Sequence, residues 1–178
     1  MRFIGQTAIQ LDTALKKVAR GSHQRIDMAV NIDHLFNHPE RIRTVATWIY
    51  EEFWRDKPGY SVETFEVLLR QASDPDRIPL SLLAFADGTP AGTVNLVHSD
   101  SETRPHLHPW LAALYVVPEF RHRGIGSALC RALLSDAGRL GVGELFLGTD
   151  IPGFYAALGA ELHEQVSETT CIMRFRLP

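Results

Sequence analysis

An apolar run, Leu111 to Val117, passes through Pro118 into Arg121-His122-Arg123-Gly124-Ile125-Gly126-Ser127, and an amphipathic stretch follows at once. These residue types at this spacing suit the holding of phosphate. The first amides of a helix have no partner inside it, and the helix dipole adds partial positive charge there. Glycines let backbone approach a ligand closely, and Arg121, His122 and Arg123 supply a local basic site. The loop alone does not name its ligand. A dinucleotide fingerprint wants a third glycine and an early position in the chain, but Ser127-Ala128-Leu129 follows here, late in the sequence. A triphosphate loop wants glycine, lysine and then serine or threonine, and that run is absent. A tight strand-to-helix turn without a ligand would use the same glycines.

The loop needs a strand before it and a helix after it. Leu111 to Val117 reads as a strand buried on both faces. Leu129, Leu133, Leu134, Ala137 and Leu140 share one side of the following helix, which Gly141 and Gly143 end. Upstream, Ile26 to Leu35 alternates as a strand does. A helix opens at His38-Pro39-Glu40 and carries Ile42, Val45, Ala46, Ile49, Tyr50, Phe53 and Trp54 at helical spacing until Lys57-Pro58-Gly59 breaks it. Ser61 caps a second helix running to about Ala72, with Val62, Phe65, Leu68 and Leu69 inward. Pro79 to Ala86 and Ala91 to His98 form a hairpin turning at Asp87-Gly88-Thr89-Pro90, and Ser99 to His108 reads as a mobile polar loop. Downstream come a strand at Glu144 to Leu147, a short helix at Ile151 to Leu158 stopped by Gly159, and strands at Glu161 to Val166 and Thr170 to Leu177.

That order predicts an α/β fold on a mixed sheet, antiparallel early, with a strand–helix–strand unit in the middle. Residues 25–178 form a single domain. Residues 1–24 form an extension in which Ile9, Leu11, Leu15 and Val18 line one face of a short helix. That helix packs on the domain or on a second copy of the chain, so a homodimer stays open.

The 178 residues are 45% hydrophobic and 22% charged, with a formal charge of −3, the balance of a globular domain able to bury a core. No overall basic excess points to nucleic acid, and no lysine-rich run points to a membrane surface. No apolar run approaches the roughly 20 residues of a membrane span, and the N-terminus lacks the apolar core of a signal peptide. The expected compartment is the cytoplasm. Cys130 and Cys171, the two cysteines, sit in no CxxC pair and read as buried reduced thiols. His106 and His108 lack a third ligand nearby, so no metal site is expected.

The run from Leu114 to Leu129, an apolar strand, a proline and then Arg121, Gly124 and Gly126 opening a helix, resembles motif A of the GNAT superfamily of acyl-CoA-dependent N-acetyltransferases. Gly153-Phe154-Tyr155-Ala156-Ala157-Leu158-Gly159-Ala160 resembles the second signature of that family, a tyrosine ahead of a leucine-glycine pair. The two together, in this order and separation, are far more specific than either alone. The match covers about residues 108–163, and the earlier elements agree with the family's fold, a mixed, mostly antiparallel twisted sheet flanked by helices.

The resemblance implies transfer of acetyl from acetyl-CoA to a primary amine by direct attack in a ternary complex. The pyrophosphate would rest on the amides of His122, Arg123, Gly124, Ile125, Gly126 and Ser127, with Arg121 adding charge or bracing the loop. Backbone groups of Leu114, Tyr115 and Val116 would bind the pantetheine arm where two strands splay apart, and an amide there would polarise the thioester carbonyl. Tyr155 is implied as the acid that protonates the leaving thiolate. The base that takes the amine's proton is open: His108 is one candidate because histidine titrates near neutral pH, and His98, His106 and Glu102 are others. Where many members carry an asparagine before the tyrosine helix, this chain has Gly148-Thr149-Asp150. The acceptor site would be built from the first two helices and last hairpin, with Trp54 and Tyr60 as candidate walls, near Tyr50, Phe53 and 165–170. No acidic cluster in the sequence declares a polycationic acceptor. A different class of function, a silent acyl-CoA sensor or assembly module of the same fold, is the alternative.

Overall fold

The computed structural model describes residues 28–178. The expected extension 1–24, and the beginning of the first expected strand at Ile26, lie outside the described residues. The elements are β1 (Val30–His34), α1 (Ile42–Phe53), α2 (Val62–Leu69), β2 (Leu80–Ala86), β3 (Thr89–Val97), β4 (Trp110–Val116), α3 (Ile125–Arg139), β5 (Glu144–Thr149), α4 (Pro152–Ala156), β6 (Glu161–Gln165) and β7 (Cys171–Arg176). Short 3-10 turns precede α1 and follow β4. The seven strands form one sheet in the order β1-β2-β3-β4-β5-β7-β6. Every neighbouring pair is antiparallel except β4 with β5. This is the predicted mixed, mostly antiparallel sheet.

The period-two geometry of strands divides the core into two layers. Leu82, Leu96, Leu145 and Met173 face one way and pack with Leu129, Leu133 and Ala137 of α3 and Tyr155 of α4. Their chain neighbours Leu83, Val97, Phe146 and Ile172 face the other way and pack with Val45 and Ile49 of α1 and Phe65 and Leu69 of α2. Both sheet faces are thus covered, which is why the central strands read as continuous apolar runs. Local signals agree. Ser61 and Thr64 form a reciprocal capping box at the start of α2. The hairpin turn is tighter than the sequence suggests, since only Asp87 and Gly88 take positive φ, at 48° and 79°, while Thr89 and Pro90 already belong to β3. The loop of residues 99–108 is tethered rather than loose: Arg104 Nε donates to Glu164 Oε2 of β6 at 2.8 Å. Among the described residues, no helix is long and apolar enough to cross a membrane.

Two irregularities fall on β4, one at each of its edges. Thr93 pairs with Tyr115, but Asn95 pairs with Ala112, so Val94 alone faces both Ala113 and Leu114. This is a β-bulge in β4, and Ala113 within it sits at φ +48°, a left-handed conformation that costs a non-glycine residue about 1–2 kcal/mol. The second irregularity lies on the other edge of β4. It registers with β5 at Trp110–Phe146 alone, backed by the Phe146 amide donating to the Pro109 carbonyl at 3.0 Å. Toward its C-terminal end β4 has no partner in β5, and a notch opens in the middle of the sheet.

Candidate functional site

The open end of that notch leads directly to the glycine loop. β4 ends at Val116, a 3-10 turn spans Pro118–Phe120, and α3 begins at Ile125. His122 at φ +60° and Gly124 at φ +82° are both left-handed. Gly124 is the N-cap of α3, and no side chain caps it. The leading amides of a 15-residue helix are therefore left to a ligand or to water. A cavity of about 270 Å³ lies over them. It is lined by Arg121, His122 and residues 124–127 of the loop, with Val116, Phe120, Ile151 and Phe154 around it. Gly126 faces Phe154 across this space: a Cβ there would meet the ring at 3.5 Å.

Arg121 braces the loop. Its Nε donates to the Val116 carbonyl at 2.9 Å, its guanidinium lies 5.8 Å from the Tyr115 ring centroid, and an Nη stands 3.9 Å from the Glu52 carboxylate. Of the two roles expected for it, bracing is the one its contacts perform, and it still lines the cavity. Arg123 points elsewhere, over the Phe120 ring at 5.9 Å with Nη1 at 3.8 Å from Met28 Sδ, and does not line the cavity. Replacing Arg121 by Ala is expected to lower stability by about 1–2 kcal/mol, since it removes a charged, half-buried hydrogen bond. The brace and a positive charge at the cavity go together, so binding of a pyrophosphate group there is expected to weaken about tenfold. Denaturant midpoints and calorimetric titration read the two effects separately.

Tyr155 lies in α4, wholly buried, with its ring edge-on to Phe154 at 4.9 Å between centroids. It therefore stands directly behind the Phe154 wall of the cavity. His108 is different. It is exposed and precedes β4, at the end where β4 and β5 still pair. The six residue steps from Trp110 to Val116 span roughly 20 Å of strand, so the fold does not bring His108 to the glycine loop. His106 and Glu102 are exposed in the same loop, and His98 Nε2 is engaged with the Ile78 carbonyl at 3.0 Å. The Thr149 hydroxyl accepts from the Ile151 amide at 3.0 Å, which ties it to the turn before α4, while Asp150 is exposed.

The expected aromatic walls need correction. Trp54 is only 3% exposed, and its ring stacks among Tyr60 at 4.2 Å and Phe65 at 5.6 Å. It is core beneath α1 and α2, not a pocket wall. The groove on this side of the sheet is lined instead by Trp48, Glu51, Glu52 and Arg55 of α1 and the segment after it, facing Tyr115 of β4. Spacing hid this. Trp48, Glu51, Glu52 and Arg55 recur at three- and four-residue steps, which reads as an ordinary solvated face until Tyr115 is set opposite them.

The cysteines sit away from both spaces. Burial pushes the Cys130 thiol up to about 12, and burial raises Cys171 as well. Thiolate is the nucleophilic form, so neither is suited to carrying an acyl group. Iodoacetamide at pH 8 is expected to leave both unmodified in the folded protein, and mass spectrometry of the intact chain checks this. Labelling of Cys130 on the timescale of a small free thiol would contradict the burial argument. Among the described residues, no group of three or more His, Cys, Asp or Glu is placed to hold a metal ion.

Known proteins match the chain in family and in fold. Residues 45–160 match the model of the GNAT acetyltransferase family. No curated protein matches the sequence at a significant level. Among solved structures, an acetyltransferase of the GNAT family from Streptococcus pneumoniae aligns with a TM-score of 0.64 at 18% identity, covering 84% of this chain and 100% of that one. The PaiA N-acetyltransferase of Thermoplasma acidophilum, solved in complex with coenzyme A, aligns at 0.54 with 23% identity over 84% of this chain and 100% of that one. An aminoglycoside 6'-N-acetyltransferase, also complexed with coenzyme A, aligns at 0.60 with 13% identity over 83% and 98%. At these identities the structural likeness speaks for the fold. The family match spans the bulged strand, the glycine loop and the tyrosine helix, and on it the chain belongs to the GNAT acetyltransferase family.

Proposed function

We propose that the protein transfers acetyl from acetyl-CoA to a primary amine within a ternary complex. The observation that carries this reading is the half-open β4, which leaves its β5-facing backbone unpaired and runs straight into the uncapped N-terminus of α3. Those two features together suit a molecule that is an extended amide chain at one end and a pyrophosphate at the other. Two structural neighbours were solved with coenzyme A, which supports the same assignment. When bound, acetyl-CoA supplies the activated thioester; the protein supplies position and protons.

In this reading the amides of residues 122–127 and the α3 dipole hold the pyrophosphate, with Arg121 fixing the loop and adding charge. The backbone of Leu114, Tyr115 and Val116 grips the pantetheine arm as an added strand. An amide of β4 near the Ala113 bulge stabilises negative charge growing on the carbonyl oxygen. The Tyr155 hydroxyl gives its proton to the departing sulfur. The base that takes the amine's proton stays open, with His108, ahead of β4 on the far side of the Ala113 bulge from the glycine loop, among the candidates.

A thermal-shift comparison with acetyl-CoA, coenzyme A, NAD and ATP tests the donor, and an amine panel with thiol-release detection tests the transfer. Stabilisation by either coenzyme A species together with thiol release supports the reading. Stabilisation by NAD or ATP alone overturns it. Tight coenzyme A binding with silence across the panel would favour the sensor instead.

A further inference from the structure

The groove opposite the glycine loop has a chemistry of its own. Trp48 and Tyr115 pack with ring centroids 5.6 Å apart, inclined at 34°, beside a polar space of about 450 Å³ that Glu51, Glu52 and Arg55 complete. Two aromatic faces beside carboxylates form an environment for a cation, because ring quadrupoles and carboxylates both attract positive charge. The two carboxylates are not equivalent. Glu51 is held by Arg55 one helical turn on, and both are well exposed. Glu52 is 22% exposed and, among the described residues, its ion-pair partner is the Arg121 guanidinium at 3.9 Å. That separation is beyond hydrogen-bond distance, and Arg121 spends its Nε on the Val116 carbonyl. Glu52 thus keeps its accepting oxygens for a ligand. It also faces Tyr115 closely enough that, after burial, its charge helps raise the Tyr115 phenol above its usual range.

The position of the groove is as informative as its lining. Tyr115 belongs to β4, one residue beyond the bulge. Arg121 lines the cavity over the glycine loop and contacts Glu52 of the groove. The two spaces therefore share the end of β4 from opposite faces of the sheet.

Resting on the acetyltransferase reading above, we propose that Glu52, Trp48 and Tyr115 form the acceptor subsite and that the acceptor is a compact cationic amine, seated as its ammonium on Glu52 beside the two rings. Arg55 stays locked to Glu51 at the mouth and limits the site to small head groups. Neutral arylamines and acidic amines would leave Glu52 unmatched or repelled.

The test uses the full chain and two probes, propane-1,3-diamine as substrate and tetramethylammonium as a non-reacting cation. Trp48 is half-buried beside the site whereas Trp54 and Trp110 are buried, so quenching of tryptophan fluorescence by tetramethylammonium reads binding without turnover. Wild type is expected to bind it saturably, and Glu52→Gln to weaken binding about tenfold, the scale of one charge-assisted contact. Glu40→Gln, exposed ahead of α1 and outside the groove, should change it little. In the thiol-release assay the same Glu52→Gln variant should raise KM for the diamine about tenfold while acetyl-CoA affinity holds. Absence of saturable binding in wild type, or binding unchanged in Glu52→Gln, overturns the proposal, as does a preference for neutral or acidic amines over the diamine. Failure of the donor assignment reads differently: tetramethylammonium would still bind, but neither coenzyme A species would stabilise the protein.

Discussion

Tyr155→Phe is expected to lower kcat by about a hundredfold, the lower range of what a positioned acid contributes, equivalent to about 2.7 kcal/mol in the barrier. The ring keeps its place in the core beside Phe154, so the fold should survive and coenzyme A should bind as in wild type. An interaction made in the transition state and not before lowers kcat and kcat/KM together, and that is the pattern to look for in steady-state kinetics. A thermal melt shows whether the phenylalanine packs equally well. Unchanged kcat would remove Tyr155 from the reaction and leave it as a core aromatic of α4. A preserved binding constant with lost turnover would separate the chemistry from simple loss of structure.

The second large effect is expected at Gly92. A Cβ built there would stand 2.5 Å from the Tyr115 carbonyl oxygen and 3.3 Å from Val116 Cα. Both are backbone atoms of β4, so no side chain can swing aside. Gly92→Ala must push β3 and β4 apart at the stretch proposed to grip the pantetheine arm. Overpacking of this kind costs about 1–3 kcal/mol, and here the displaced strand is also the binding surface, so both stability and coenzyme A affinity should fall. Gly138→Ala is the matched control. It lies in α3 with nothing within 4 Å of an added Cβ and with ordinary helical φ, so it should stabilise by about 0.5–1 kcal/mol. Denaturant titration of the two variants reads opposite signs from the same chemical change. A Gly92→Ala variant as stable as wild type would mean the strands yield without cost.

The contrast between these glycines shows what the sequence can and cannot carry. The glycines of the loop were legible because they sit between an apolar run and an amphipathic one, and periodicity sets both boundaries within a residue or two: the helix runs Ile125–Arg139, and the strand before it Trp110–Val116. The order of the seven strands and four helices came from the same signals. Gly92 gave no such sign, because its constraint comes from the backbone of another strand. The bulge at Ala113 was equally silent. An alanine in an apolar run carries no mark of a left-handed φ, and only the two-against-one register with Val94 reveals it.

Side-chain roles were harder still. Tyr155 could be singled out because Leu158-Gly159 follows it, a pattern tied to a family rather than to physics. Trp54 and Tyr60 looked like pocket walls because aromatic residues near a helix end often are, but Phe65 of α2 packs with both and closes that space. His108 looked apt by its chemistry, and it lies exposed ahead of β4, at the end away from the glycine loop. Glu52 carries no mark in the sequence, because two adjacent glutamates on a helix read as solvated. Its neighbours Tyr115 and Arg121 come from the far side of α2 and a hairpin in the chain, and no local pattern links them.

The single register pair between β4 and β5 has a mechanical consequence. The sheet is two panels, β1 to β4 on one side and β5, β7 and β6 on the other, stitched at Trp110–Phe146. Within each panel the ladders are long and antiparallel; across the seam there is almost none. Cooperative units of this kind open with their own free energies. Amides of the two panels should therefore exchange with solvent as separate groups in the free protein and merge into one when a ligand bridges the seam. On the proposed reading, the missing rung of the sheet is supplied from outside.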